Sequence, residues 1–463
     1  MAKPNFEGLP TELKIQVLWQ IPFIGDIKSI VFASPGYHRT YLLIRSDILN
    51  WHVNQQLSED LDPVEALTAI RSKDIRFSTE RESAIALLDT WRRKNEIHNL
   101  SQLYQLPCRL DRPDSLEEVI DLLHFKRILQ FFLVDFALNA PKPPMIPITQ
   151  WKDQFLPLAL SSLERQRILR ALCRLQTLKN IFGDPVHCSG YPFCGSCKNK
   201  NHWRNREITE QIQFSTDPYN DENDQYAFRL FYGTMPPWEY EEMGSVFGYF
   251  KAKIDLVGKD IAHDLRNFSK RTPCDFFQDI IPAEERPPPG STIASDINLI
   301  LFPDKDAGGL AGLGPEFLYR LFHMDRLAQR NTVCRNTRDN WYGPFIGSNI
   351  SLSWELRFPL IEPADRHERP GFETRWSSLS SIEQPTIEWK RTWLLPHEEE
   401  TELEYAIDID ERDETDWHWC YALWDEERLE EWKSHPCGEK GSPSSHTFIM
   451  SETENILIAP SGQ

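Results

Sequence analysis

The sequence predicts a mainly α-helical protein, in which a short helical hairpin at the amino terminus precedes a large helical body. Three observations support this fold class. Prolines and capping residues stand where several segments begin, apolar residues recur within those segments at helical spacing, and only one longer stretch alternates as a strand does. The 463 residues suffice for about three domain-sized units, so the body can contain a large core.

The first fifty residues predict three short helices. Pro10 suits the first turn of a helix, and Leu13 begins a run of apolar residues at helical spacing. Asp26 is suited to cap the second helix, and Pro35 is suited to begin the third. Three helices of this length bury too little apolar surface to be stable alone. We therefore expect part of this surface to pack against a partner or against the rest of the chain.

Two long helices of the body are predicted from their first residues. Ser115 and Ser161 each stand three residues before a glutamate, which is typical of a capping box. The helix after Ser161 has apolar residues on one side and a stripe of arginines mostly on the other, namely Arg165, Arg167, Arg170 and Arg174. A charged face opposite an apolar one is usually solvated. Pairing of the stripe with an acidic partner, or with an acidic run of the same chain, is the alternative.

A small β element is predicted near residues 350–395. Apolar and polar residues alternate from Ile350 to Phe358, as they do in a half-buried strand. Ile387, Trp389 and Trp393 supply the candidate partner strand. The remainder of the body shows helical patterns.

Changes in composition divide the chain into six regions. The hairpin comes first, and two helical regions are separated by a polar insertion that contains cysteine and histidine. An acidic segment and a Trp-rich segment with a loose tail follow. In order, the predicted regions are 1–50, 51–182, 183–225, 226–395 (with the β element), 396–416 and 417–463.

The net charge limits the classes of partner that the protein can bind, and the cysteines indicate the cellular compartment. A net charge of −19 argues against nucleic-acid binding. The first residues lack an apolar run, and the most apolar stretch, Ile128 to Val134, is too short to span a bilayer. Nine cysteines without a secretory signal favour reduced thiols. We expect a cytoplasmic or nuclear protein that binds neither nucleic acid nor a membrane.

The acidic segment and the aromatic residues after it are expected to behave differently. Eleven acidic residues lie between Glu398 and Asp416, and burying them would remove many charges from water with few cations nearby. We expect this run to be exposed. The aromatic residues that follow offer large apolar areas, namely Trp417, Trp419, Tyr421, Trp424 and Trp432. We expect them to pack into the body, with a role in a substrate surface as the alternative; their spacing fits both a helix and a strand.

One group of residues is a candidate metal site. Cys188, Cys194, Cys197 and His202 could close a tetrahedral zinc site, because a Cys-x2-Cys pair places two thiolates within reach of one ion. The spacing matches no familiar zinc module, so free thiols are favoured and we expect no cofactor. No arrangement typical of a hydrolase, a metallopeptidase or a phosphate-binding loop is present in the sequence. We therefore expect no catalytic residue and a protein that is not an enzyme.

Residues 6–50 also resemble a known family. Leu9-Pro10-x-Glu12-Leu13, an apolar helix, the Asp26-Ile27 step and a third helix with an aromatic residue resemble the F-box pattern. The segment Ala33 to Tyr41 is similar to the variant that is abundant in filamentous fungi. Three later segments also resemble those fungal F-box families, namely 163–172, 236–239 and 424–429.

The resemblance implies a partner and a pathway. F-box proteins tether substrates to cullin–RING ubiquitin ligases through the Skp adaptor, and by the resemblance Leu9, Pro10, Leu13 and Ile27 contact this adaptor. The expected function is that of a substrate receptor that recruits an unknown protein for ubiquitination and degradation. Two alternatives are open: a scaffold protein that never meets a ligase, and a regulatory protein that zinc stabilises at residues 187–202.

Overall fold

The computed structural model describes a mainly α-helical protein. The residues that it describes are 6–57, 60–77, 79–94, 97, 110, 112–185, 212–214, 231, 235–269, 304–336, 379–393 and 418–434. Within these ranges, no helix is long and apolar enough to cross a membrane. The α-helices are α1 (Thr11–Trp19), α2 (Ile24–Ala33), α3 (Pro35–Leu57), α4 (Pro63–Arg71), α5 (Arg81–Arg92), α6 (Leu116–Asn139), α7 (Ser162–Phe182), α8 (Pro237–Ser269), α9 (Asp304–Ala311), α10 (Gly314–His323), α11 (Arg326–Asn336), α12 (Ile387–Trp393) and α13 (Glu426–Ser434).

Shorter elements complete the described part of the chain. They are 3-10 turns at Phe6–Gly8 and Tyr421–Leu423, and a helical turn at Ile148–Gln150 that continues as a π-helix at Trp151–Phe155. Two strands of three residues form an antiparallel ladder, namely Gly183–Pro185 (β1) and Ile212–Phe214 (β2). This ladder is far in sequence from the predicted β element.

The predicted β element near 350–395 is not shown. Residues 337–378, which include the alternating run from Ile350 to Phe358, lie outside the described residues. The prediction of Ile387, Trp389 and Trp393 as a partner strand is wrong, because these residues belong to the helix α12. Three apolar residues so close in sequence fit the spacing of a helix as well as that of a strand. In the helix, the fully buried Trp389 packs edge-on against Trp238, with ring centroids 5.5 Å apart.

The three amino-terminal helices occupy the predicted positions. Pro35 begins α3 as predicted, whereas Pro10 lies just before α1 as its capping residue. Asp26 does not cap α2, because that helix already begins at Ile24 and places Asp26 in its first turn. Helix α3 continues to Leu57, and 23 residues at 1.5 Å each give it a length of about 34 Å.

Helix α3 joins the hairpin to the body. Its first half packs against α1 and α2 around buried side chains that include Leu18, Ile27 and Tyr37. It also packs against α6, where Ile48 and Val53 belong to the same hydrophobic core as the body. One uninterrupted helix therefore contributes to both parts, which holds the hairpin at a fixed position on the body.

Helix α7 lies at the centre of the body. It packs against α4, α6, α8 and α10, and fifteen of its twenty-one residues are buried. Its start confirms the predicted capping box: the Ser161 hydroxyl accepts from the Glu164 amide at 3.1 Å, and the Ser161 amide donates to the Glu164 carboxylate at 2.9 Å. At α6 the Ser115 hydroxyl likewise accepts from the Glu118 amide.

The aromatic residues near the carboxyl terminus pack into the body, as predicted. Tyr421, Trp424 and Trp432 are buried, and the Trp432 ring lies edge-on against both Trp424 and Trp151 with centroids 5.2 Å apart. Trp419 is half-buried. Trp417 and the acidic run from Glu398 to Asp416 lie outside the described residues, so the predicted exposure of that run stays a prediction.

Candidate functional site

The amino-terminal hairpin has an unusual concentration of exposed apolar side chains. Of the thirteen large apolar side chains that are exposed in the described part of the chain, six lie between residues 6 and 43. They are Phe6, Leu13, Phe23, Phe32, Leu42 and Leu43, and we call them the hairpin apolar surface. Contiguous patches of exposed apolar residues mark sites of interaction with partners, so this set of side chains is a candidate for such a site.

The four predicted adaptor-contacting residues lie in different environments. Pro10 is exposed, Leu13 is 44% exposed, and Leu9 is half-buried at the turn that leads into α1. Ile27 is only 3% exposed and packs inside the hairpin, with the rest of its core. The structure thus leaves three of these side chains accessible, and it gives Ile27 a place in the packing of α2 against α3.

Two strongly exposed members of the hairpin apolar surface lie outside the F-box positions that the sequence pattern identifies. Phe23 is the residue just before α2 and is 66% exposed, and Phe32 lies in the last turn of α2 and is 77% exposed. For Phe32 the helical spacing could have indicated this exposure. The buried residues of α2 are Ile27 and Val31, and Phe32 does not lie on the face that they share. The Lys28 ammonium group lies 6.0 Å from the centre of the Phe32 ring.

A second cluster, made of charged side chains, lies buried inside the body. Arg170 of α7 forms ion pairs with two carboxylates of α8, reaching Glu242 at 2.7 Å and Glu239 at 3.0 Å. One turn further along α7, Arg174 pairs with Glu239 at 2.6 Å and with Glu65 of α4 at 2.8 Å. All five side chains are buried. We call this set the buried ion network.

Further ion pairs extend this arrangement beside Glu65 and at the start of α7. Lys94 binds Glu65 at 2.9 Å, and Arg167 binds Asp425 at 2.6 Å. At the first turn of α7, Arg428 donates two hydrogen bonds of 2.6 Å to Glu164. Asp425 and Arg428 belong to the carboxyl-terminal elements, so charged groups as well as tryptophans attach residues 418–434 to the body.

The predicted solvation of the arginine stripe is therefore wrong for Arg167, Arg170 and Arg174. Their guanidinium groups are buried and paired, because glutamates from α4 and α8 pack against the same side of α7. Arg165 is different: it pairs with Asp60 at 2.9 Å, and its side chain stays 35% exposed. These partners are not the acidic run, whose residues lie outside the described part of the chain.

The network shifts the pKa values of its carboxylates in different directions. Burial alone would raise the pKa of Glu65, but the charges of Arg174 and Lys94 hold it well below its ordinary value. The same balance, with Arg170 and Arg174 as the cations, lowers the pKa of Glu239. Burial, aided by the neighbouring Glu239, instead raises the pKa of Glu242 despite its pairing with Arg170. Because each of these carboxylates is paired with a buried arginine of α7, we interpret the buried ion network as structural support for the core.

The candidate zinc ligands cannot be placed. Cys188, Cys194, Cys197 and His202 all lie outside the described residues. Among the residues that the structure does describe, no group of three or more potential metal ligands comes together. The zinc site stays a prediction from spacing alone.

Comparison with known proteins gives no match. No family model matches the sequence, and neither a curated protein nor a solved structure is significantly similar to it.

Proposed function

We propose that the protein is an F-box-like substrate receptor, which binds the Skp adaptor of a cullin–RING ubiquitin ligase and recruits a protein substrate. The observation that carries the proposal is the hairpin apolar surface on three helices whose sequence has the F-box register. Leu9, Pro10 and Leu13 of that register are accessible, and Phe23 and Phe32 extend the accessible area along α2.

The attachment of the hairpin supports the same role. A receptor of this class supplies no catalytic group; it holds a substrate close to the ubiquitin-transfer machinery, and the gain comes from proximity. A continuous α3, shared by the hairpin and the body, suits that role because it fixes the separation between the adaptor and any substrate on the body. The proposed receptor works in the cytoplasm or the nucleus, without a cofactor.

Co-purification tests the proposal. The full chain is co-expressed with the Skp adaptor and captured by a tag, once as the native sequence and once with Leu9→Ala and Pro10→Ala. We expect the native chain to retain the adaptor and the double variant to retain clearly less, because truncating an interface anchor typically costs about 1–2 kcal/mol or more. If the native chain captures no adaptor, the scaffold alternative replaces the receptor.

A further inference from the structure

A second group of exposed apolar side chains lies on the body. Seven large apolar side chains are exposed in the described residues outside the hairpin, and five of them lie on three helices, α6, α8 and α11, or in the turn just before α11. These five are Val134 and Leu138 of α6, Leu256 of α8, Met324 before α11, and Leu327 of α11.

Contacts between polar side chains show that these elements adjoin. Asp135 of α6 pairs with Lys253 of α8 and accepts a hydrogen bond of 2.6 Å from Tyr249. Farther along α8, Asp260 pairs with Arg326 at 2.8 Å and with Arg330 at 2.9 Å.

Leu256 stands between these two sets of ion pairs. It follows Lys253 by three residues and precedes Asp260 by four, so all three share one face of α8. The Lys253 ammonium group also lies 4.7 Å from the centre of the Phe322 ring of α10. Leu256 is nevertheless 51% exposed, so the face of α8 between α6 and α11 keeps an open apolar position.

The charge of this region is opposite in sign to that of the chain. Segments 127–138, 249–260 and 319–330 together contain seven lysines and arginines and four aspartates, a net of +3, whereas the whole chain carries −19. Arg127, Lys259 and Arg320 are exposed. We call these three segments, with their exposed apolar residues, the basic–apolar surface.

We infer that the basic–apolar surface binds an acidic peptide segment with apolar side chains, presented by a partner protein. Leucine side chains of the peptide would cover Leu256 and Leu327, and its carboxylates would lie against the surrounding cations. Charge complementarity selects this chemistry.

The inference deepens the proposed function and rests on it in one respect. If the protein is a ligase receptor, such a peptide is the class of substrate segment that it recruits. The binding itself does not depend on the hairpin, so the two can be tested separately.

Fluorescence polarisation on the full chain tests the inference. The probe is a labelled sixteen-residue peptide of glutamates with leucines at helical spacing; one control peptide has alanines in place of the leucines, and another has lysines in place of the glutamates. We expect only the acidic leucine peptide to bind at micromolar concentration, and added salt to weaken it.

Variants locate the binding. Leu256→Ala with Leu327→Ala, and separately Lys259→Glu with Arg320→Glu, are each expected to weaken binding at least tenfold. The matched controls are Ile148→Ala, which is 51% exposed outside the surface, and Lys152→Glu, which replaces an exposed lysine. Both controls are expected to bind as the native chain does. A hairpin variant, Leu13→Glu, is also expected to bind the peptide normally, even if it loses the adaptor.

Four results would overturn the inference. The first is no binding at millimolar peptide, and the second is equal binding of the alanine peptide. The third is binding only after the acids of 398–416 are replaced by their amides, which would assign the surface to the chain's own acidic run. The fourth is self-association of the native chain that Leu256→Ala with Leu327→Ala abolishes, which would assign it to a second copy.

Discussion

Arg174 of α7 and Glu65 of α4 form a buried ion pair joined by two hydrogen bonds of 2.8 and 3.2 Å. Glu65 also accepts a hydrogen bond of 3.1 Å from the indole of Trp91, and the guanidinium group of Arg174 lies 5.2 Å from the centre of the Trp91 ring. Helices α4, α5 and α7 therefore meet at one charged point. The pair matters to the fold mainly because removing either charge would leave the other buried without a counter-ion.

Removal of one partner should reveal this dependence. Arg174→Met is expected to lower the free energy of unfolding by about 3–5 kcal/mol, since it leaves Glu65 and Glu239 buried without that cation. The matched control is Arg165→Met on the same helix. Its pair with Asp60 is partly exposed, and we expect a loss of about 1 kcal/mol or less. Urea unfolding measures both, and equal losses would contradict a special role for the buried pair.

The lowered pKa of Glu65 makes stability depend on pH in a definite direction. Its folded-state pKa lies below its unfolded value of about 4.3, so its contribution is complete above that pH and is lost as the pH falls toward the folded-state pKa. Comparison with Glu65→Gln isolates this group. We expect the native chain's advantage in unfolding free energy to shrink below about pH 4.3, by up to about 1.4 kcal/mol per pH unit. An advantage that is constant from neutral to acid pH would show that Glu65 has an ordinary pKa.

The carboxyl-terminal elements should stay attached when the chain is cut before them. A site for a sequence-specific protease, inserted between Glu404 and Tyr405, tests the predicted exposure of the acidic run. We expect rapid cleavage, and we expect the fragment that carries Trp424 and Trp432 to co-elute with the body on gel filtration. Release of that fragment without denaturant would mean that the tryptophans and the Arg167–Asp425 pair do not hold it.

Metal analysis decides the zinc alternative. We expect protein purified without chelator to contain well below one zinc per chain, and its unfolding to be unchanged by chelator. Stoichiometric zinc that is lost in a variant with Cys194→Ser and Cys197→Ser would instead establish the site and revive the regulatory alternative.

The sequence was a good guide where local rules decide the structure. Pro35 and the Ser161–Glu164 capping box begin helices at the predicted residues, because proline and capping preferences act within one turn. The buried state of Trp424 and Trp432 also followed, since large aromatic side chains are rarely left in water.

The sequence was a poor guide where contacts between distant segments decide the structure. The burial of Arg174 depends on Glu239 and Glu65, which are 65 and 109 residues away. The i, i+3 spacing of Glu239 and Glu242, at the start of a helix whose next turns are apolar, is the one signal that could have indicated buried partners for the arginine stripe. The exposure of Phe23 and Phe32 does not follow from the F-box pattern for a related reason: the pattern specifies only its own positions, and exposure depends on how the neighbouring helices pack.

The affinity of the purified chain for the purified Skp adaptor tests the central claim most directly. It is measured by titration calorimetry for the native chain, for Leu13→Glu in the hairpin apolar surface, and for Ile148→Glu as a control of similar exposure on the body. Circular dichroism confirms that the three proteins are equally folded. We expect the native chain and Ile148→Glu to bind with the same affinity and Leu13→Glu to bind at least tenfold more weakly. No binding by the folded native chain at micromolar concentration, or equal binding by Leu13→Glu, would contradict the account.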